Sequence, residues 1–217
     1  MKNIIIMFAV GLLAQQITQA QGTVYLSNLG QASAGGFAVG SNSWLTAGFA
    51  TGNNAEGYTL NSIQLAMTDA TGNPNEFTVL LYAANGSPVT ALPGTSLGTL
   101  IGSANPVTSG IFTYTASGLT LSSFTSYFIV LTAGTAVANG AYDWSYAGAN
   151  SYNPIGGWSA GGSLGTSSDG LHWSWGAATG PQFAINATAI PEPGALSLFA
   201  LGGLGFLWHR RKERHLR

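Results

Sequence analysis

Cysteine is absent from the 217-residue chain, which excludes disulfides and thiolate metal sites and leaves packing and backbone pairing to hold the fold. Charge is almost as scarce, with six Lys or Arg and seven Asp or Glu. The cations are Lys2, Arg210, Arg211, Lys212, Arg214 and Arg217, so nothing between Lys2 and Arg210 is basic. That interval holds only acids: Glu56, Asp69, Glu76, Asp143, Asp169 and Glu192. A nucleic-acid binder must neutralise phosphates with cations, so no nucleic-acid partner is expected. A nucleotide or phosphate site lacks its clamp for the same reason. Of three histidines, His209 and His215 lie in the C-terminal tail, leaving His172 alone in the body. Long helical-period runs are missing too.

The ends carry what hydrophobic runs there are. Met1-Lys2 is a basic start, Ile4 to Leu13 is a ten-residue apolar run, and Thr18-Gln19-Ala20 supplies small residues for cleavage between Ala20 and Gln21. This is the layout of a secretory signal peptide, residues 1–20, read by signal peptidase. At the other end stand Pro191-Glu192-Pro193, an uncharged stretch from Gly194 to Trp208, and the basic tail 209–217. The prolines break any strand arriving from the body. As a helix, residues 194–208 would reach roughly 22 Å. A hydrocarbon core is roughly 30 Å thick, so the segment is a marginal transmembrane span with the basic tail cytoplasmic.

Residues 190–217 resemble the PEP-CTERM sorting signal, in which a Pro-Glu-Pro tripeptide, a short Gly-containing apolar helix and an Arg-rich end occur in that order. The resemblance implies a Gram-negative-type bacterium that makes extracellular polysaccharide. It also implies the membrane protease exosortase, with Pro191, Glu192 and Pro193 as its recognition motif. The expected localisation is a transient inner-membrane anchor, then the cell surface or extracellular matrix.

Between the ends lie about 170 residues, enough for one domain with a hydrophobic core. Period-2 alternation marks strands: Ile63, Leu65 and Met67; Phe77, Val79 and Leu81; Phe112 and Tyr114; Tyr127, Ile129 and Leu131; Phe183 and Ile185. Turn residues separate them at 69–75, 85–88, Pro93-Gly94 and 168–170. Nine to eleven short strands with Gly-rich turns predict an all-β fold, a single antiparallel sandwich or jelly roll over 21–189. Residues 147–170, with seven glycines, read as a long loop. Tyr58-Thr-Leu-Asn-Ser-Ile63-Gln-Leu65, Phe77 to Tyr82, Leu92-Pro93-Gly94, Leu119 to Leu131 and Tyr142-Asp-Trp144 together resemble the choice-of-anchor R domain. These are exported bacterial β domains found with different anchors, and the resemblance supplies no catalytic residues.

Chemistry-bearing residues are few. His172 with Asp143 or Asp169 and one of many serines could be drawn as a triad, but no G-x-S-x-G elbow supports it. Paired carboxylates from Glu56, Glu76, Asp69, Asp143 and Asp169 could serve a glycoside hydrolase, although the cations that help grip sugars are missing. Asp69, Asn73, Asn75 and Glu76 crowd one loop with oxygen ligands, without the spacing of an EF-hand. Aromatics are the stronger signal. Tyr142, Trp144 and Tyr146 would share one strand face and Leu171, Trp173 and Trp175 another, with Trp158 in the loop between. Such stripes more often fill a core than make a sugar platform. Trp158 and Trp175 are the expected exposed pair, and Trp158, Trp175 and Trp144 the candidate carbohydrate contacts. The expectation is a non-catalytic exported surface or matrix protein with no cofactor and no metal. The alternative is a module binding extracellular polysaccharide, and a glycoside hydrolase is the remote one.

Overall fold

The computed structural model describes residues 22–86, 91–176 and 180–192. The expected signal peptide with its Ala20–Gln21 junction, Pro193, the apolar segment and the basic tail lie outside the described residues. Fourteen strands follow in chain order: β1 (Thr23–Ser27), β2 (Ser33–Val39), β3 (Trp44–Ala50), β4 (Tyr58–Gly72), β5 (Thr78–Asn85), β6 (Leu92–Leu100) and β7 (Gly110–Thr115). Then come β8 (Thr120–Leu121), β9 (Ser126–Thr132), β10 (Gly140–Ala147), β11 (Ser159–Ser167), β12 (Ser174–Trp175), β13 (Gly180–Pro181) and β14 (Phe183–Ala189). Eleven have five or more residues, and the excess over the expected count is the three two-residue strands β8, β12 and β13.

Two antiparallel sheets pack as a sandwich. One has six strands in the order β12-β11-β3-β9-β5-β6. The other has eight, built around the fifteen-residue β4, which pairs with β7 and β8 on one side and with β14 and β10 on the other. Each sheet turns one face inward, which is why the period-2 residues were legible: Ile63, Leu65, Met67, Val79, Leu81, Ile129, Leu131 and Ile185 are all buried. Tyr142 and Trp144 join them, with Tyr142 edge-on to Phe77 at 5.0 Å and Trp144 against Phe183.

Two sequence expectations fail here. Residues 147–170 are not one loop, because β11 runs through them and pairs with β3. Pro93-Gly94 is not a turn but part of β6, opposite Ala84. β6 is an edge strand, where a residue without an N–H is tolerated.

Candidate functional site

The run Tyr127 to Leu131 is apolar without interruption, so both faces of β9 need cover. Tyr127, Ile129 and Leu131 face the core, while Phe128 and Val130 form a second buried cluster with Ala91 on the outer face of the six-stranded sheet. Trp175 covers part of that face, its ring 5.9 Å from that of Phe128. Glycines make this possible. A Cβ at Gly165 would lie 3.0 Å from the Trp175 ring, and one at Gly48 would lie 2.8 Å from the Phe128 ring. The rings therefore rest on a floor without side chains.

Beside them opens a groove of about 400 Å³, floored by Gly48 and Gly161, walled by Trp175 and Phe128, and rimmed by Ser126, Ser159 and Ser163. Its volume falls at the low end of small-molecule sites, roughly 300–1,000 Å³. Among the described residues, no Asp, Glu, His, Lys or Arg lines it. An aromatic wall with a neutral hydroxyl rim suits a ligand that has one apolar face and many hydroxyls.

Of the three tryptophans offered as sugar contacts, only Trp175 is open to solvent, at 42% exposure. Trp144 is fully buried, on the inward face of β10. Trp158 is 2% exposed, correcting the expectation that a loop position would leave it free. Its ring plugs the sandwich between Tyr25 and Phe49, both stacked on it, with Tyr58 at its edge. The second aromatic stripe is also corrected, since Leu171 and His172 lie in the bend before β12 rather than on a strand.

The acid and base candidates mostly stay apart. Glu56 is exposed in the loop before β4, and Asp143 is half-buried on the outer face of β10. Asp69 Oδ1 accepts the Ser109 N–H at 2.7 Å, whereas Asn75 Oδ1 accepts the Thr135 hydroxyl at 2.6 Å, so the oxygens of that acidic loop serve different partners. Among the described residues no three His, Asp or Glu side chains gather as a metal site.

Asp169 and His172 do meet, with Oδ2 2.6 Å from Nδ1. The backbone N–H of His172, then its imidazole and the Leu171 N–H, hold the Asp169 carboxyl well below the usual carboxylate range. The arrangement closes the β11–β12 turn. Ser167 donates its hydroxyl to Asp169 Oδ1 at 3.0 Å, not to the imidazole, so the order needed to activate a serine is not present.

Asp143 carries a different signature, because desolvation raises its pKa. A carboxyl with a raised folded pKa binds its proton more tightly in the folded state. Stability is then highest at low pH and falls as pH rises from the ordinary carboxylate range through the folded pKa. Asp143→Asn is therefore expected to raise the melting temperature at pH 7 and to leave it unchanged near pH 3, as read by thermal unfolding at both pH values.

A family model for the PEP-CTERM protein-sorting motif matches residues 189–212. That match begins on the last residue of β14, so the sorting signal adjoins the folded domain without a linker. It implies export and processing by exosortase. No curated protein and no solved structure matches the chain. The body's likeness to the choice-of-anchor R domain thus has no second support.

Proposed function

We propose that the chain is a non-catalytic surface or matrix protein, exported by its signal peptide, held transiently in the inner membrane by residues 194–208, and released by exosortase at Pro191-Glu192-Pro193. The observation that carries this reading is the sorting-motif match at 189–212, set directly against a β-sandwich. Its bearing on catalysis is supported by the scatter of Glu56, Asp143 and the Asp169–His172 pair over separate parts of the surface. In a host that has exosortase, the surface form is expected to lack the apolar segment and basic tail by intact mass. Glu192→Ala is expected to abolish that form and leave the full-length chain in the membrane fraction. A surface form of unchanged mass and amount in Glu192→Ala would overturn the sorting reading.

A second reading rests on the groove beside Trp175, and it makes the domain a binder of neutral glycan. The wall and floor offer an apolar face, and the serine rim offers hydroxyls without charge. Titration of the mature chain with the host's extracellular polysaccharide is expected to change tryptophan fluorescence saturably. Trp175→Ala is expected to weaken the response by at least about fivefold in affinity, for one stacking contact of about 1–3 kcal/mol. Equal binding by wild type and Trp175→Ala would exclude this groove.

A further inference from the structure

The last described residues leave the domain from a well-tied end. Ile190 donates its N–H to Gly57 O at 3.0 Å, and its own carbonyl accepts Asn54 Nδ2 at 3.0 Å. Pro191 and Glu192 follow, both exposed. Only Pro191, Glu192 and Pro193 separate Ile190 from the apolar stretch that starts at Gly194. Three residues span at most about 11 Å even when fully extended. A domain of about 170 residues has a radius of gyration of roughly 15 Å. The tether is shorter than that radius. The apolar stretch, as a helix of roughly 22 Å shorter than a hydrocarbon core of roughly 30 Å, gives no slack. The end from which Ile190 emerges must then face the lipid surface.

That end carries an unusual side chain. Tyr58 is the register partner of both Ala189 and Leu121, so the loop after Leu121 lies beside the exit of the chain. Three residues on, Phe124 is 75% exposed at φ 47°. A bulky residue in the left-handed region is strained, and nothing in the core requires it. The loop that presents it is tied down by hydrogen bonds. Phe124 donates its N–H to Gly52 O at 3.0 Å, the Ser123 hydroxyl reaches the same oxygen at 3.1 Å, and Thr125 N–H bonds the Thr51 hydroxyl at 2.9 Å. On the other flank of Gly52 lies Gly156, next to Ile155, which is 47% exposed.

We propose that the tip formed by Phe124 and Ile155 docks on the bilayer interface while the chain is anchored, so that the domain stands on the membrane in one orientation before processing. The proposal rests on the reading of residues 194–208 as a membrane segment. The tip has no cation and carries Glu56 and Glu192, so the contact is apolar and does not depend on anionic lipid.

Because the chain has no cysteine, single thiols report its orientation without ambiguity. The mature chain with its tail is reconstituted into zwitterionic lipid vesicles as Phe124→Cys, Ile155→Cys and Ser168→Cys, each nitroxide-labelled. Ser168 is exposed in the β11–β12 turn. It follows Ser167, which pairs with Trp44 at the start of β3, whereas Ser159 pairs with Ala50 at the end near Gly52. Labels at 124 and 155 are expected to collide more with oxygen than with a water-soluble nickel chelate, and the label at 168 the reverse. Protein that floats with the vesicles while 124 and 168 remain equally aqueous would overturn the docking. Protein that fails to float would instead overturn the anchoring on which it rests. Protection of 124 only when exosortase is added would assign the tip to the protease and likewise refute contact with lipid.

Discussion

Trp158→Ala is expected to destabilise the domain by about 3–5 kcal/mol, the range for truncating a large buried aromatic. The ring stacks on Tyr25 at 4.9 Å and 16°, lies parallel to Phe49 at 5.9 Å and 3°, and makes a T-shaped contact with Tyr58 at 4.9 Å. Removing it leaves a hole among three rings that are tied to different strands: Tyr25 on β1, Phe49 on β3 and Tyr58 on β4. These strands belong to both sheets, so the hole cannot collapse without moving one sheet against the other. Domains of ordinary stability have only about 5–15 kcal/mol to lose. Urea unfolding followed by far-UV circular dichroism should show the midpoint falling sharply, with little change in slope. Trp158→Phe should cost much less. It keeps a ring in the stack and removes the Trp158 Nε1–H, which is buried without an acceptor. Trp175→Ala makes the complementary case, since it should leave the midpoint far less affected while removing whatever the outer groove binds. A large loss of stability at Trp175 and a small one at Trp158 would reverse the assignment of core and surface rings.

Tryptophan placement also marks how far the sequence could be read. Strands with one buried face announced themselves through alternation, as in Ile63-Gln-Leu65-Ala-Met67, because water on one face and the core on the other impose period two. β11 gave no such signal. Its sequence, Ser-Ala-Gly-Gly-Ser-Leu-Gly-Thr-Ser, is that of a loop. Its glycines serve neighbouring strands, since Gly165 leaves room for the Trp175 ring on β12 and for Thr46 on β3. Trp158 misled for a related reason: it sits at the edge of a glycine-rich excursion, yet the loop folds inward there because Tyr25 and Phe49 are waiting. The outer groove had one readable sign. Five apolar residues in a row from Tyr127 to Leu131 exceed what a strand with one wet face would carry, so Phe128 pointed to cover on the outer side. The Asp169–His172 contact could be read from spacing alone, as an aspartate whose side chain closes a turn three residues long.

Nothing local foretells the polar knot at the fork of the eight-stranded sheet, and removing it should have the second large effect. At Gln182 the chain passes from pairing with β10 to pairing with β4. Its backbone bridges the two, donating to Ser145 O at 2.8 Å and accepting from Ala66 N at 3.1 Å. The gap is filled by Asn28, 1% exposed, whose Oδ1 accepts the Phe183 N–H at 2.9 Å and whose Nδ2 reaches Pro181 O at 3.1 Å. Gln182, 2% exposed, adds Nε2 to Gln31 O at 2.7 Å and accepts the Ser145 hydroxyl at 2.6 Å. Asn28→Leu keeps the branched shape and the number of heavy atoms but strands the buried Phe183 N–H, and leaving a buried donor unsatisfied costs about 1–3 kcal/mol. A loss of about 2–4 kcal/mol is expected by chemical denaturation. Gln182→Leu should cost less, because Ser145 keeps the Ser33 hydroxyl at 2.7 Å. The double variant should lose less than the sum, since both residues hold the same crossing of the chain. Strict additivity would mean that the two side chains act independently and that the fork is held by its backbone pairing alone.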